Sequence, residues 1–227
     1  MLCNVRQVIV PCLRDRELSA AKLALTSGVE KGHAVVVREL IRYMPHGSDF
    51  SPAFEAAVHN GHAAVVDELI TAGVSGGALD SALRDAARNG HAAVVTKFII
   101  ACVSGGALDS ALRDAARNGH AAVVDKLIAA GVSGGALDSA LTDAASNGHV
   151  AVVTKFIIAC ASSHALDYAI KDAARNGHGA VVDKLIISAC VSRSAMDSAF
   201  RDAAMNGHGA IAEKWRKRRN QRMKRKR

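Results

Sequence analysis

An all-α fold, an α-solenoid of stacked helix-turn-helix units, is what this chain predicts. Three observations lead there: a tripeptide repeated at a fixed period, apolar residues at helical spacing inside each period, and glycines that punctuate it. Asn-Gly-His occurs as Asn60-Gly61-His62, Asn89-Gly90-His91, Asn118-Gly119-His120, Asn147-Gly148-His149, Asn176-Gly177-His178 and Asn206-Gly207-His208, after a variant, Lys31-Gly32-His33. Successive histidines lie 29 residues apart, except for the last step of 30. A fixed period of this size marks a solenoid, whose units bury their apolar faces only against neighbours.

One unit, Ala107 to Gly135, shows how each element arises. Leu108, Leu112, Ala115 and Ala116 fall on one stripe at helical spacing. Asp109 suits the first turn of that helix, and Arg113 stands four residues on as its partner. Gly119 supplies the stop, because glycine takes the left-handed conformation that ends helices. Val123, Val124, Leu127 and Ile128 then share one face of a second helix. The stretch Gly131-Val132-Ser133-Gly134-Gly135 reads as a glycine-rich, exposed loop to the next unit, as does Gly105-Gly106 one unit earlier.

The run from Ser110 through Ala111-Leu112-Arg113-Asp114-Ala115-Ala116-Arg117-Asn118-Gly119 to His120, followed by Val123-Val124 and Leu127-Ile128, resembles an ankyrin repeat. That family repeats Thr-Pro-Leu-His-x-Ala near its first helix with a period of about 33 residues. The resemblance recurs over residues 17–213 and defines seven repeats. It leaves 1–16 as an N-terminal lead-in and 214–227 as a basic C-terminal tail. The four residues missing from each period fall where ankyrin repeats make a β-hairpin finger, so those fingers should be reduced or absent. The proline and histidine of the family's helix start are also mostly replaced. Only Pro52 keeps the proline, with Ser51 expected as the helix cap.

Half of the residues are apolar, enough for a sizeable core, and aromatic residues are scarce. That composition suits thin, close-packed helical layers. No apolar run reaches the roughly 18 residues needed to cross a bilayer. Val8-Ile9-Val10-Pro11 is too short and interrupted for a signal peptide, so a nuclear or cytoplasmic location is expected. Cys102, Cys160 and Cys190 occupy similar late positions on second helices. Copies stacked about 10 Å apart are beyond disulfide reach, and we expect buried free thiols. The state of Cys3 and Cys12 is open. Repeats three and five share Val94–Cys102 and Val152–Cys160, while four and six share Val123–Ile128 and Val181–Ile186. A two-repeat unit of 58 residues has been copied.

Charge is concentrated. Residues 214–227 hold ten basic and no acidic residues, leaving 19 basic against 21 acidic in the rest. Lys217, Arg218, Arg219, Arg222, Lys224, Arg225, Lys226 and Arg227 are candidates for a nuclear import signal or for phosphate contact. A solvated helical extension is the plainer alternative. Trp215 aligns with the core residues Leu127 and Leu185 and should close the last repeat. The helix it lies on should fray beyond Arg216, where like charges repel.

The histidine row invites a metal reading, which fails because about 10 Å between copies exceeds one zinc coordination shell. Turn histidines should instead bond backbone groups. No phosphate loop, nucleophile elbow or metalloprotease helix is present, so no catalytic residue, cofactor or small-molecule substrate is expected. Candidate partner-binding residues come from two rows on the first helices. One is Arg84, Arg113, Thr142, Lys171 and Arg201. The other precedes the Asn-Gly turn, with Arg88, Arg117, Ser146, Arg175 and Met205. The resemblance implies a protein partner on this second row. A nucleic acid or an import receptor is the alternative partner, through the tail.

Overall fold

In a computed structural model the described residues are 18–45, 48–101, 103–159, 161–188 and 191–224, with side chains followed as far as Lys217 in the last helix. The expectations for Cys3, Cys12, Cys102, Cys160, Cys190, Arg225, Lys226 and Arg227 lie outside these residues. Those for the side chains of Arg218, Arg219, Arg222 and Lys224 do too.

Among the described residues every regular element is helical. The expected loss of the β-hairpin fingers is therefore what the backbone shows. The helices are α1 (18–30), α2 (Ala34–Tyr43), α3 (Ser51–His59), α4 (Ala63–Thr71), α5 (Gly77–Arg88), α6 (Ala92–Ile100), α7 (Gly105–Arg117), α8 (Ala121–Ala129), α9 (Gly134–Ser146), α10 (Val150–Ile158), α11 (Ser163–Arg175), α12 (Gly179–Ile187), α13 (Arg193–Met205) and α14 (Gly209–Lys224). No helix among the described residues is long and apolar enough to cross a membrane.

The chain forms two compact units. The first, Met1–Ala86 with Ala93–Val103, holds α1 to α4 and nearly all of α5 and α6. Its core joins Val29, Val37, Phe54, Val58, Val65, Val66 and Leu69, and Phe54 meets Phe98 edge-on at 5.9 Å. The second, Ala87–Ala92 with Ser104–Arg227, holds the well-matched repeats. There α7, α9, α11 and α13 pack side by side as one layer, and α8, α10 and α12 pack as another. The facing stripes are alanine-rich on the first helices and valine-rich on the second. Ala111, Leu112, Ala115, Ala116, Val123, Val124 and Leu127 are fully buried, as are their counterparts in the next repeat. Small alanines let helix axes approach closely, which is why so few aromatic residues suffice.

Helix ends follow from two devices. At each first-helix C-terminus a glycine stands in the left-handed region, as at Gly119 (φ 81°). His120 N–H reaches the Ala115 carbonyl at 3.0 Å and Gly119 N–H the Ala116 carbonyl at 3.3 Å, the paired bonds of a Schellman ending. At the N-termini of α7, α9, α11 and α13 a serine caps the backbone. Ser104, Ser133, Ser162 and Ser192 accept from the N–H three residues on at 3.1–3.2 Å.

These caps correct the loop boundaries. Gly105-Gly106 and Gly134-Gly135 are exposed, as expected, but they form the first turn of α7 and α9 rather than a loop. A capping serine outweighs the poor helix propensity of two glycines there. Ser51 is likewise not a cap. Phe50 precedes α3, and Asp49 accepts the Ser51 N–H at 2.9 Å. Hydrogen bonding from Ser51, through its side chain first and its N–H second, holds the Asp49 carboxyl below the usual range.

Candidate functional site

The turns come first, because they aim the candidate residues. His62, His120, His149 and His178 each begin a second helix without capping it. Their rings point back to the preceding repeat instead. Nε2 of His62, His120, His149, His178 and His208 meets the carbonyl of Glu30, Arg88, Arg117, Ser146 and Arg175 at 2.8–3.0 Å. A carbonyl only accepts, so Nε2 carries the proton and donates. The expected backbone bonding holds, and its target is the end of the neighbouring first helix. The ring also covers the preceding repeat's glycine. A Cβ built on Gly90, Gly119, Gly148 or Gly177 would stand 2.6–2.7 Å from a ring atom of the next histidine. These glycines are therefore required twice, once by backbone dihedral and once by space. No group of three or more metal-binding side chains occurs among the described residues.

In the first-helix rows the arginines and Met205 are exposed while Thr142, Ser146 and Lys171 are half-buried, and several of the arginines are tied between repeats. Arg88 reaches Asp114 at 3.2 Å. Arg113 and Arg117 both reach Asp143 at 3.3 Å. Arg175 reaches Asp202 at 3.3 Å and Asp172 at 3.4 Å. The intrahelical pair expected of Asp109 and Arg113 is absent. Asp109 lies beyond the first turn and accepts from Ser133 N–H at 2.9 Å and Ser133 Oγ at 2.7 Å. Asp138 does the same for Ser162, and Asp167 accepts the Ser192 N–H. The aspartate row thus holds the cap of the following repeat. Periodicity shows which residues share a row, while partners 24 to 30 residues away follow from the stacking.

Repeat five interrupts the basic ladder. Thr142 bonds the Asp138 carbonyl of its own helix, and Ser146 offers its carbonyl to Asn176 and His178. Repeat six answers with an aromatic cluster. Tyr168, half exposed, meets His164 edge-on at 4.9 Å, and Lys171 lies 5.4 Å from the Tyr168 ring centre. Arg84 and Arg201 are exposed, and Met205 is 73% exposed at the end of α13. The structure brings the candidates onto first-helix faces but does not gather them at one point.

The C-terminal helix departs from expectation in length. It remains helical to Lys224 rather than fraying after Arg216. Glu213 and Lys217 pair at 2.9 Å one turn apart, and that contact holds the Glu213 carboxyl below its usual range. Lys214 pairs with Asp183 on α12. Trp215 stacks on Phe200 of α13, ring centres 4.6 Å apart and 12° from parallel. This is the closing role its alignment implies. Ile211 packs beside Gly179, and the two help line a pocket of about 310 Å³ between α12 and α14.

No protein-family profile matches the chain, and no curated protein does. Among solved structures it is similar to the human ASB11 ankyrin repeat domain, with 21% identity and a TM-score of 0.59. The match covers 72% of this chain and 82% of that one.

Proposed function

We propose that this chain, built on the ankyrin-repeat fold, is a non-enzymatic scaffold that binds another protein along the first-helix face of repeats over residues 17–213. Support comes from the fold, which generally serves protein–protein interaction, and above all from the exposed ends of the first helices. There Arg88, Arg117, Arg175 and Met205, with the half-buried Ser146, stand at one position of successive repeats. Rigid, repeated presentation keeps the entropic cost of binding low. Affinity capture with the full chain tests this reading. Arg201→Glu with Met205→Glu should reduce capture of the specific partner about tenfold or more while leaving the helical signal unchanged. Capture indifferent to these changes overturns it.

The tail, residues 214–227, is proposed to direct the protein to the nucleus. A fusion carrying Lys217, Arg218, Arg219, Lys224, Arg225 and Lys226 as alanine should remain diffuse, while the unaltered fusion concentrates in the nucleus. Exclusion of the unaltered fusion refutes import. Substitution is a cleaner test than cutting after residue 213, because Lys214 pairs with Asp183 of the preceding repeat and Trp215 stacks on Phe200 of its own. The helical continuity of α14 also favours a second reading, phosphate contact with nucleic acid. That binding would weaken linearly with log salt and vanish in the same alanine variant.

A further inference from the structure

The pocket between α12 and α14 is a consequence of local departures from the repeat. Repeat five places Val150, and repeat four Ala121, where repeat six has Gly179. The seventh repeat has Trp215 where Leu127, Phe156 and Leu185 stand earlier. With no side chain at 179 and a large ring at 215, about 310 Å³ is left, lined by Gly179, Ile186, Phe200, Ile211 and Trp215. That volume lies at the small end of the range for ligand sites. It suits one aromatic or branched aliphatic side chain. The Asp183–Lys214 ion pair also lines it, with both groups accessible to solvent. Arg216 and Lys217 stand exposed on the same helix, and seven further basic residues follow in the sequence.

We propose that this pocket is a docking site for an acidic protein segment, which inserts one bulky apolar side chain against Trp215 while its carboxylates face α14. Charge complementarity selects the partner: the segment beginning at Lys214 carries ten basic residues and no acidic ones, against an otherwise near-neutral array. An apolar anchor in a small pocket supplies affinity, and the surrounding charge supplies steering. The proposal deepens the scaffold reading but uses a surface separate from the first-helix row.

Trp215 is the sole tryptophan, so its emission reports on the site directly. The probe is a short synthetic peptide of glutamates around a central phenylalanine, titrated into the full chain. Saturable change in Trp215 emission is expected, weakened by salt. Replacing the peptide's phenylalanine by alanine should weaken binding about tenfold or more. Gly179→Val is the decisive variant. A Cβ there meets Ile211 at an ordinary 3.6 Å, and valine already stands at the equivalent position 150. It should fill the pocket without lowering Tm and reduce affinity at least about tenfold. Met205→Glu should leave this binding unchanged. Normal binding by Gly179→Val, equal binding of the alanine peptide, no emission change, or a response to anionic vesicles alone overturns the proposal. Loss in Met205→Glu with Gly179→Val unaffected places binding on the first-helix face and overturns it too.

Discussion

Gly119 and Gly207 have nearly the same backbone, φ 81° and 82°, yet their surroundings differ. The His149 ring lies against Gly119, whereas among the described residues nothing stands within 4 Å of a Cβ on Gly207. Gly207→Ala should cost about 1–2 kcal/mol, the strain of a left-handed alanine. Gly119→Ala should cost about 2–4 kcal/mol, because the ring must also move and its bond to Arg117 is lost. Urea denaturation of the two variants measures the difference, and equal costs would remove the ring from the argument. The same geometry occupies Nε2 of each bonded histidine, so equimolar zinc should leave Tm unchanged. Sequence reasoning found the histidine row, its backbone role and the turn glycines. It could not find which carbonyl each ring seeks, because that acceptor lies 32 or 33 residues earlier and is set by how the repeats stack.

Ser133 shows how one element depends on the next. It caps α9 and is itself held by Asp109 of α7. Ser133→Ala should cost about 1–2 kcal/mol, and the Ser133→Ala, Asp109→Ala pair should cost less than the sum, since both remove one contact. A fully additive pair would show that the two groups act separately. Glu68 gives the acid-side counterpart in the first unit. Its hydrogen bond from Arg38, at 2.9 Å from Nε, holds its carboxyl below the ordinary glutamate value. A lowered native value means the contribution is complete above the ordinary value, about 4.3, and is lost as pH falls through the lowered one. Glu68→Gln should therefore reduce stability near pH 7 by no more than about 1 kcal/mol and flatten the loss below pH 4. Both points are read from urea midpoints across pH. Helix existence and pairing were legible from the apolar stripes, and so was the closing role of Trp215. The helix starts at Gly105 and Gly134 were not, because glycine signals a break and only the bound serine reveals a cap. The persistence of α14 to Lys224 was missed for a similar reason: repulsion within the tail was visible, whereas Lys214 on Asp183 was not.

At the scale of the molecule the 58-residue copy leaves a trace in the ion pairs of the second helices. Lys97 meets Asp67 at 2.8 Å, Lys155 meets Asp125 at 2.7 Å, and Lys214 meets Asp183. Thr154 takes the aspartate position in repeat five, and Lys184 makes no ion pair among the described residues. Thr154→Asp should supply that pair and add up to about 0.5 kcal/mol, read from the urea midpoint; no gain would mean the lysine reaches water instead. The backward reach of the histidines gives the chain a direction in time as well. A turn such as Asn118-Gly119 is held by a ring that lies 30 residues later, at His149. A ribosome adding about 5–20 residues each second delivers that ring roughly 2–6 s after the turn itself has been made. Each newborn repeat thus waits for its successor, and the advancing edge of the nascent protein always carries one unlatched turn.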